Sequence, residues 1–342
     1  MIAERLTSQL LAGEPARDPV AVVERLLAVQ GQDPRGARLA VRARSSGLCA
    51  SDVDRALTED RSLLITWVNR GTLHLIRRED YAWLHALTTP QLFTGNARRL
   101  SEEGVPPDDA ERAVSVVERA LADDGPLTRQ ELKQRIDEAG VRTERQALVH
   151  ILMNASLRGL IIRGPMRGRH HAYALVRDWL GPVKPVDRDK ALAELARRYL
   201  AGHGPADDRD LAKWAGLGLR DARAGLNAIA SELREREDGL VELSGCDPAA
   251  ALPPPRLLGA YEPVLLGWTS RDDLLGSNES DIAVTVNGLF RPFALVNGRA
   301  VGIWAMPKGE VVLEPFGRLA KKHAAALQAD AKDVQRFLGL TA

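Results

Sequence analysis

Cysteine is nearly absent from this chain. Cys49 and Cys246 are the two in 342 residues, far apart and outside any metal-ligand spacing. They read as small thiols of a cytosolic protein. Long apolar runs are missing too: stretches such as Leu257–Leu258 and Val264–Leu266 fall far short of the roughly 20 residues that a membrane span needs. The N-terminus, with Glu4 and Arg5 in a short amphipathic stretch, does not resemble a signal peptide. No charge of one sign dominates, because 47 Lys+Arg against 46 Asp+Glu leave a net +1. Binding to a polyanion therefore has to come from a local basic surface. The familiar enzymatic signatures are also lacking: no GxSxG, HExxH, Walker loop or spaced Cys/His cluster occurs.

What remains is an ordinary globular composition, 45% hydrophobic and 27% charged, long enough for two or three domains. Arginine outnumbers lysine 39 to 8. Its planar fork suits phosphates and guanine edges, although a GC-rich genome produces the same bias.

The sequence also repeats itself. Residues 111–163 and 190–243 both read as a helix, a Gly-Pro break at Pro126 or Pro205, two further helices and a strand. That is the winged helix-turn-helix plan. In the first repeat LIIRGPMRGRHHAYAL (160–175) forms a hairpin wing; the second has only a short wing around Leu240–Leu243. The first eighty residues fit the plan more loosely, with helices over 2–12, 19–29 and 51–58. Asp18-Pro19 caps the second of these, and LLITWVNRGTLHLI (63–76) is a wing turning at Asn69–Gly71. Residues 78–100 read as a helical connector, and DPAAALPPP (247–255) as a linker. Beyond it Asn297-Gly298 signals a hairpin, EVVLEPF a strand, and 317–328 and 330–338 two helices. The expected fold is mainly α with β wings. It comprises three tandem winged-helix units (1–100, 101–185 and 186–247) and a small β-rich C-terminal domain (256–342) with terminal helices.

The unusual stretch is LLAVQGQDPRGARLAVRAR, residues 26–44. In an extended segment Gln30 and Gln32 face the same way, so their amides converge on one point. Gly31 between them allows close approach, and Arg35, Arg38 and Arg42 recur at helical spacing as one basic stripe. Composition alone makes the same stretch a polar connector with a solvated arginine face. Asp33, ahead of a proline, reads as a helix cap. His170-His171 would point to opposite faces of a strand and make poor metal ligands, so no metal is expected. The six tryptophans are scattered and read as core.

On VQGQDPRGARLAVRAR, WVNRGTLHLI (67–76), LLGAYEPVLLGW (257–268) and FALVNGRAVGIW (293–304), the chain resembles the AlkZ-type DNA glycosylases, tandem winged-helix proteins that excise bulky N7-alkylated purines. The resemblance implies a Gln-x-Gln motif as the catalytic site, here Gln30-Gly31-Gln32, although the middle position is often aliphatic. It implies double-stranded DNA as partner, no cofactor and no membrane. A monomer acting in the cytoplasm at the nucleoid is the expectation. Unhooking of interstrand crosslinks and self-resistance to a genotoxic natural product belong to the same implication. Arg35 and Arg38 would hold phosphates beside the glutamines, Arg70 and His74 lie on the first wing, and Arg163, Arg167, Arg169 and His170 crowd the second. Scarce aromatics, 4% of the chain, argue against a flipped-base pocket lined by rings. A winged-helix regulator without enzymatic activity is the competing reading.

Overall fold

The computed structural model describes residues 1–183, 185–246, 251–276, 283–285 and 288–340. Helices begin where the chain supplies caps. After α1 (Ile2–Ser8), Asp18 accepts the Val20 N–H at 2.9 Å and Pro19 opens α2 (Pro19–Leu26). The device recurs at Asp33-Pro34: β1 (Val29–Gln30) leads into a turn, and α3 (Pro34–Ala43) starts on the Asp33 cap. Next comes α4 (Ala50–Thr58).

The chain divides into two compact units, Asp54–Ala191 and the pair of stretches Met1–Val53 and Leu192–Ala342. These divisions fall at other places than the sequence-based segments.

The Asp54–Ala191 unit contains β2 (Leu63–Val68), β3 (Thr72–Arg77), α5 (Tyr81–Thr88), α6 (Phe93–Glu102) and α7 (Pro107–Asp124). There follow β4 (Leu127–Thr128), α8 (Arg129–Glu138), α9 (Ala147–Leu157), β5 (Ile161–Arg167), β6 (His170–Leu175) and α10 (Val176–Leu180). Thr128 and Glu131 close a reciprocal capping box at the start of α8. The five strands of this unit run antiparallel in the order β3-β2-β5-β6-β4. The two hairpins expected as separate wings are thus joined edge to edge through Ile65 and Arg163. Joining them buries strand residues that free hairpins would leave in water. α9 lies in the middle of the core with Ala113, Val117, Leu132 and Ile136, and none of its residues is fully exposed.

The other unit resumes along α11 (Arg188–His203), α12 (Asp208–Ala215), α13 (Leu219–Ala228) and the short hairpin β7 (Leu233–Glu235) and β8 (Val241–Leu243). Residues 247–250 of the expected linker lie outside the described residues. Then come β9 (Arg256–Leu258), α14 (Pro263–Leu266), β10 (Phe293–Val296), β11 (Arg299–Ala305), β12 (Val312–Pro315) and α15 (Lys321–Phe337). The strands form an antiparallel sheet in the order β12-β11-β10-β9. Asn297 and Gly298, at φ 51° and 76°, turn β10 into β11 as the Asn-Gly pair suggested. The two terminal helices expected over 317–328 and 330–338 are one continuous α15, since Gln328-Ala329-Asp330 contains no breaker. The fold is mostly helical with small antiparallel sheets, and no described helix is long and apolar enough to cross a membrane.

Candidate functional site

The Gln30–Gln32 stretch is built by two neighbours in sequence. Val29 and Gln30 are extended, and the Asp33 cap ends that extension by starting α3. Side chains two residues apart then project together, and Gln30 Nε2 donates to Gln32 Oε1 at 3.1 Å. Gln30 is buried, 6% exposed, whereas Gln32 is exposed, so the pair leads from the interior to the surface. With Gln30 Nε2 committed, Gln30 Oε1 and the second lone pair of Gln32 Oε1 are left to accept from a third group. The Asp33 carboxylate accepts the Arg35 N–H at 2.9 Å, which is the capping role.

The arginines of α3 do not form one solvent-facing stripe. Arg35 is exposed, but Arg38 is buried and Nη1 donates to Pro34 O at 2.7 Å. Arg42 is 2% exposed; it donates to Asp330 at 2.9 Å, Asp333 at 3.1 Å and the Leu257 carbonyl at 2.9 Å. Arg44 and Glu262 pair at 2.5 Å with both side chains fully buried. Helical spacing put Arg35, Arg38 and Arg42 on one face, and α15 and β9 cover its Arg42 end, while Arg44 at the helix end is taken by Gln9 and Glu262. Two of the sequence stretches that signalled the family, 29–44 and 257–268, are therefore packing partners.

Backbone contact between those stretches is direct. A Cβ on Gly36 would lie 2.4 Å from the Ala260 carbonyl oxygen, and one on Gly259 would lie 3.0 Å from Gly36 Cα. Gly36 has no room for a side chain, and at Gly259 one fits only if the neighbouring backbone gives way.

The remaining sequence candidates lie in the Asp54–Ala191 unit. Arg70 is half-buried at the β2–β3 turn. His74 is 2% exposed, its Nδ1–H donates to Thr72 O at 2.9 Å, and burial, with the Arg70 charge adding, depresses its pKa to about 3. This corrects the expectation of a DNA contact, because a neutral, buried strand histidine offers no surface to a duplex. Arg163 is half-buried in the sheet, and Arg167 turns back to pair with Glu131 at 3.0 Å. Arg169 and His170 are exposed at the hairpin tip, while His171 is buried and donates to Gly164 O at 3.4 Å. The adjacent histidines do face opposite ways. Five of the six tryptophans are buried, and Trp83 is half-buried with Nε1 donating to Asp80 at 3.3 Å.

A cleft of about 560 Å³ in this unit gathers Arg129 and Lys133 of α8, Arg145 before α9, and Arg163 and His170 of the hairpin. Among the described residues, Glu144 is the single carboxylate on its lining. Sequence reasoning missed Arg129, Lys133 and Arg145. The first two are one turn apart on α8 and were legible as a face. Arg145 was not, because only the fold of the 143–146 loop brings it there.

Comparisons with known proteins agree with one another. The family described as DNA glycosylase AlkZ-like matches residues 23–337. An interstrand DNA cross-link repair glycosylase of Streptomyces sahachiroi is 29% identical over 367 aligned positions, covering 100% of this chain and 96% of the relative. The solved structure of the Streptomyces sahachiroi DNA glycosylase AlkZ superposes with a TM-score of 0.78 at 25% identity, covering 99% of this chain and 96% of that one.

Proposed function

The chain belongs to the AlkZ-like DNA glycosylase family, and on that premise we propose that it hydrolyses the N-glycosidic bond of bulky N7-alkylated purines in double-stranded DNA, with Gln30 and Gln32 placing the water. The contact between the two amides at 3.1 Å carries this reading, since it ties the two side chains together on the path from the interior to the surface while Gln30 Oε1 and one lone pair of Gln32 Oε1 stay open to a water.

Neutral amides suit this chemistry. An N7-alkylpurine already bears a positive charge, so its glycosidic bond breaks with the electron pair passing to the base and needs no strong general acid. Water must be held in line with the anomeric carbon, and the developing oxocarbenium charge must meet negative dipole ends. Gln30 Oε1 and Gln32 Oε1 serve both purposes. The water proton leaves late, so a strong base is not required; Asp33 caps α3 and takes no part.

Arg35 holds a phosphate beside this pair. Arg169, His170 and the cationic cleft beneath them bind the duplex backbone elsewhere, within helix–helix–helix–hairpin segments read as winged-helix units. The protein acts as a monomer. Its substrates include interstrand crosslinks, as the name of the Streptomyces relative suggests, and its biological role is to protect a producing organism from its own genotoxin.

The test is incubation with duplexes carrying defined N7-guanine adducts, including a crosslink, with abasic sites as readout. Gln30→Ala and Gln32→Ala are each expected to lose at least 100-fold in excision, about 3 kcal/mol of barrier, while duplex affinity is retained. Undiminished excision by both variants defeats the mechanism.

A further inference from the structure

The segment after β9, which carries Tyr261, packs against the first turn of α3, the helix that follows the Gln30–Gln32 loop. Ala260 presses its carbonyl against Gly36 in the first turn of α3, and Gly259 lies against the same glycine. The next residue, Tyr261, lies close enough to the Asp33 cap for that carboxylate's charge to act on its hydroxyl. Its backbone sits at φ 54°, a left-handed conformation that is unfavourable for a bulky residue and persists only where the surroundings impose it. The surroundings here are firm: the Tyr261 N–H donates to Phe290 O at 3.2 Å, and the adjoining Glu262 is locked to Arg44 at 2.5 Å.

The side chain is held but not covered. Tyr261 is half-buried and packs on Phe290 with ring centroids 5.8 Å apart. Phe290 is held in turn by Arg271, whose guanidinium lies 5.2 Å from its ring centre while Nε donates to Leu265 O at 2.6 Å. Burial and the negative charge of Asp33 both push the Tyr261 hydroxyl up, so the ring remains a neutral phenol next to the loop.

An aromatic face attracts cations through its quadrupole, and an alkylated N7-purine is a cation where an undamaged base is not. We propose that Tyr261 is a specificity-determining residue that offers its ring face to the positively charged base above Gln30 and Gln32, with Phe290 as its backing. This rests on the glycosylase reading given above. It also revises the inference drawn from aromatic scarcity: the rings need not line a pocket if one is placed at the loop.

The experiment compares affinity for a duplex carrying a non-cleavable 2′-fluorinated N7-methylguanosine with affinity for one carrying its neutral isostere, 7-methyl-7-deazaguanosine. The intact protein is expected to prefer the cation by about tenfold. Tyr261→Phe retains that preference and Tyr261→Leu abolishes it, with affinity for undamaged duplex unchanged in both. Incorporating progressively fluorinated phenylalanines at position 261 keeps the ring shape while draining its negative face. The preference should fall stepwise at constant thermal midpoint, so the result does not depend on the leucine variant folding. A preference that survives Tyr261→Leu or the fluorinated series overturns the proposal, as does its absence from the intact protein. An intact protein that makes abasic sites but shows no charge preference loses only this inference. One that makes no abasic sites from any adduct loses the glycosylase reading.

Discussion

At the scale of single residues, the same side-chain type does different work according to what covers it. Arg35 is exposed, Arg42 is wrapped by Asp330 and Asp333, and Arg44 is sealed against Glu262, all from one ten-residue region. The sequence showed Arg35, Arg38 and Arg42 at helical spacing but not which of them would be covered. Gln30 and Gln32 were legible, because alternation along an extended segment is local geometry. His74 was not, since a strand histidine between Leu73 and Leu75 reads equally as buried or exposed. Its burial has a thermodynamic consequence. The native state keeps His74 neutral down to a pKa of about 3, while the unfolded chain takes up its proton near 6.5. Stability from this group is intact above pH 6.5 and is lost as pH falls toward 3, by about 2 kcal/mol at pH 5. Burial depresses His85 and His150 in the same direction. Denaturant unfolding at pH 7 and pH 5 should therefore show a smaller acid loss in His74→Gln than in the parent, whatever the offset between them. Equal losses would mean that His74 is not buried as a neutral ring.

At the scale of elements, caps and turns were the legible part. Asp18-Pro19, Asp33-Pro34 and Asn297-Gly298 each produced the start or turn that their chemistry specifies. The helix expected to end near 328 instead runs on, for want of any residue that would stop it. Strand partners were less legible: the two hairpins were apparent as hairpins, while their union through Ile65 and Arg163 depends on residues nearly one hundred positions apart. The packing of α3 on the 259–261 segment is equally non-local and equally consequential. Gly36→Ala places a methyl group 2.4 Å from the Ala260 carbonyl. It should destabilise the protein by about 1–3 kcal/mol, read as a lowered thermal midpoint, and move Tyr261 away from the loop. Replacement without thermal cost would show that the two segments do not touch.

At the scale of the whole molecule, a net charge of +1 gives the chain no long-range pull on DNA, so affinity has to come from local groups. The cleft holding Arg129, Lys133, Arg145 and Arg163 is one such group in the Asp54–Ala191 unit. Replacing Arg129 and Lys133 with alanine should weaken binding to damaged and undamaged duplex alike. It should also flatten the dependence of log affinity on log salt by about 0.9 for each phosphate no longer neutralised. Excision at saturating protein should be unchanged. A double variant with the parental salt slope would remove this cleft from the interface.

The sequence by itself determined the local features: capped helices, the Asn-Gly hairpin, the alternation that aims Gln30 and Gln32 together, and the motif stretches that identify the family. Each depends on residues a few positions apart, where backbone geometry leaves few choices. Tertiary structure decided which arginines meet solvent, that His74 is buried, that Arg145 joins Arg129, and that the 259–260 segment ahead of Tyr261 packs on the start of α3. Those outcomes depend on which face of an element another element covers, and residues distant in sequence supply the cover.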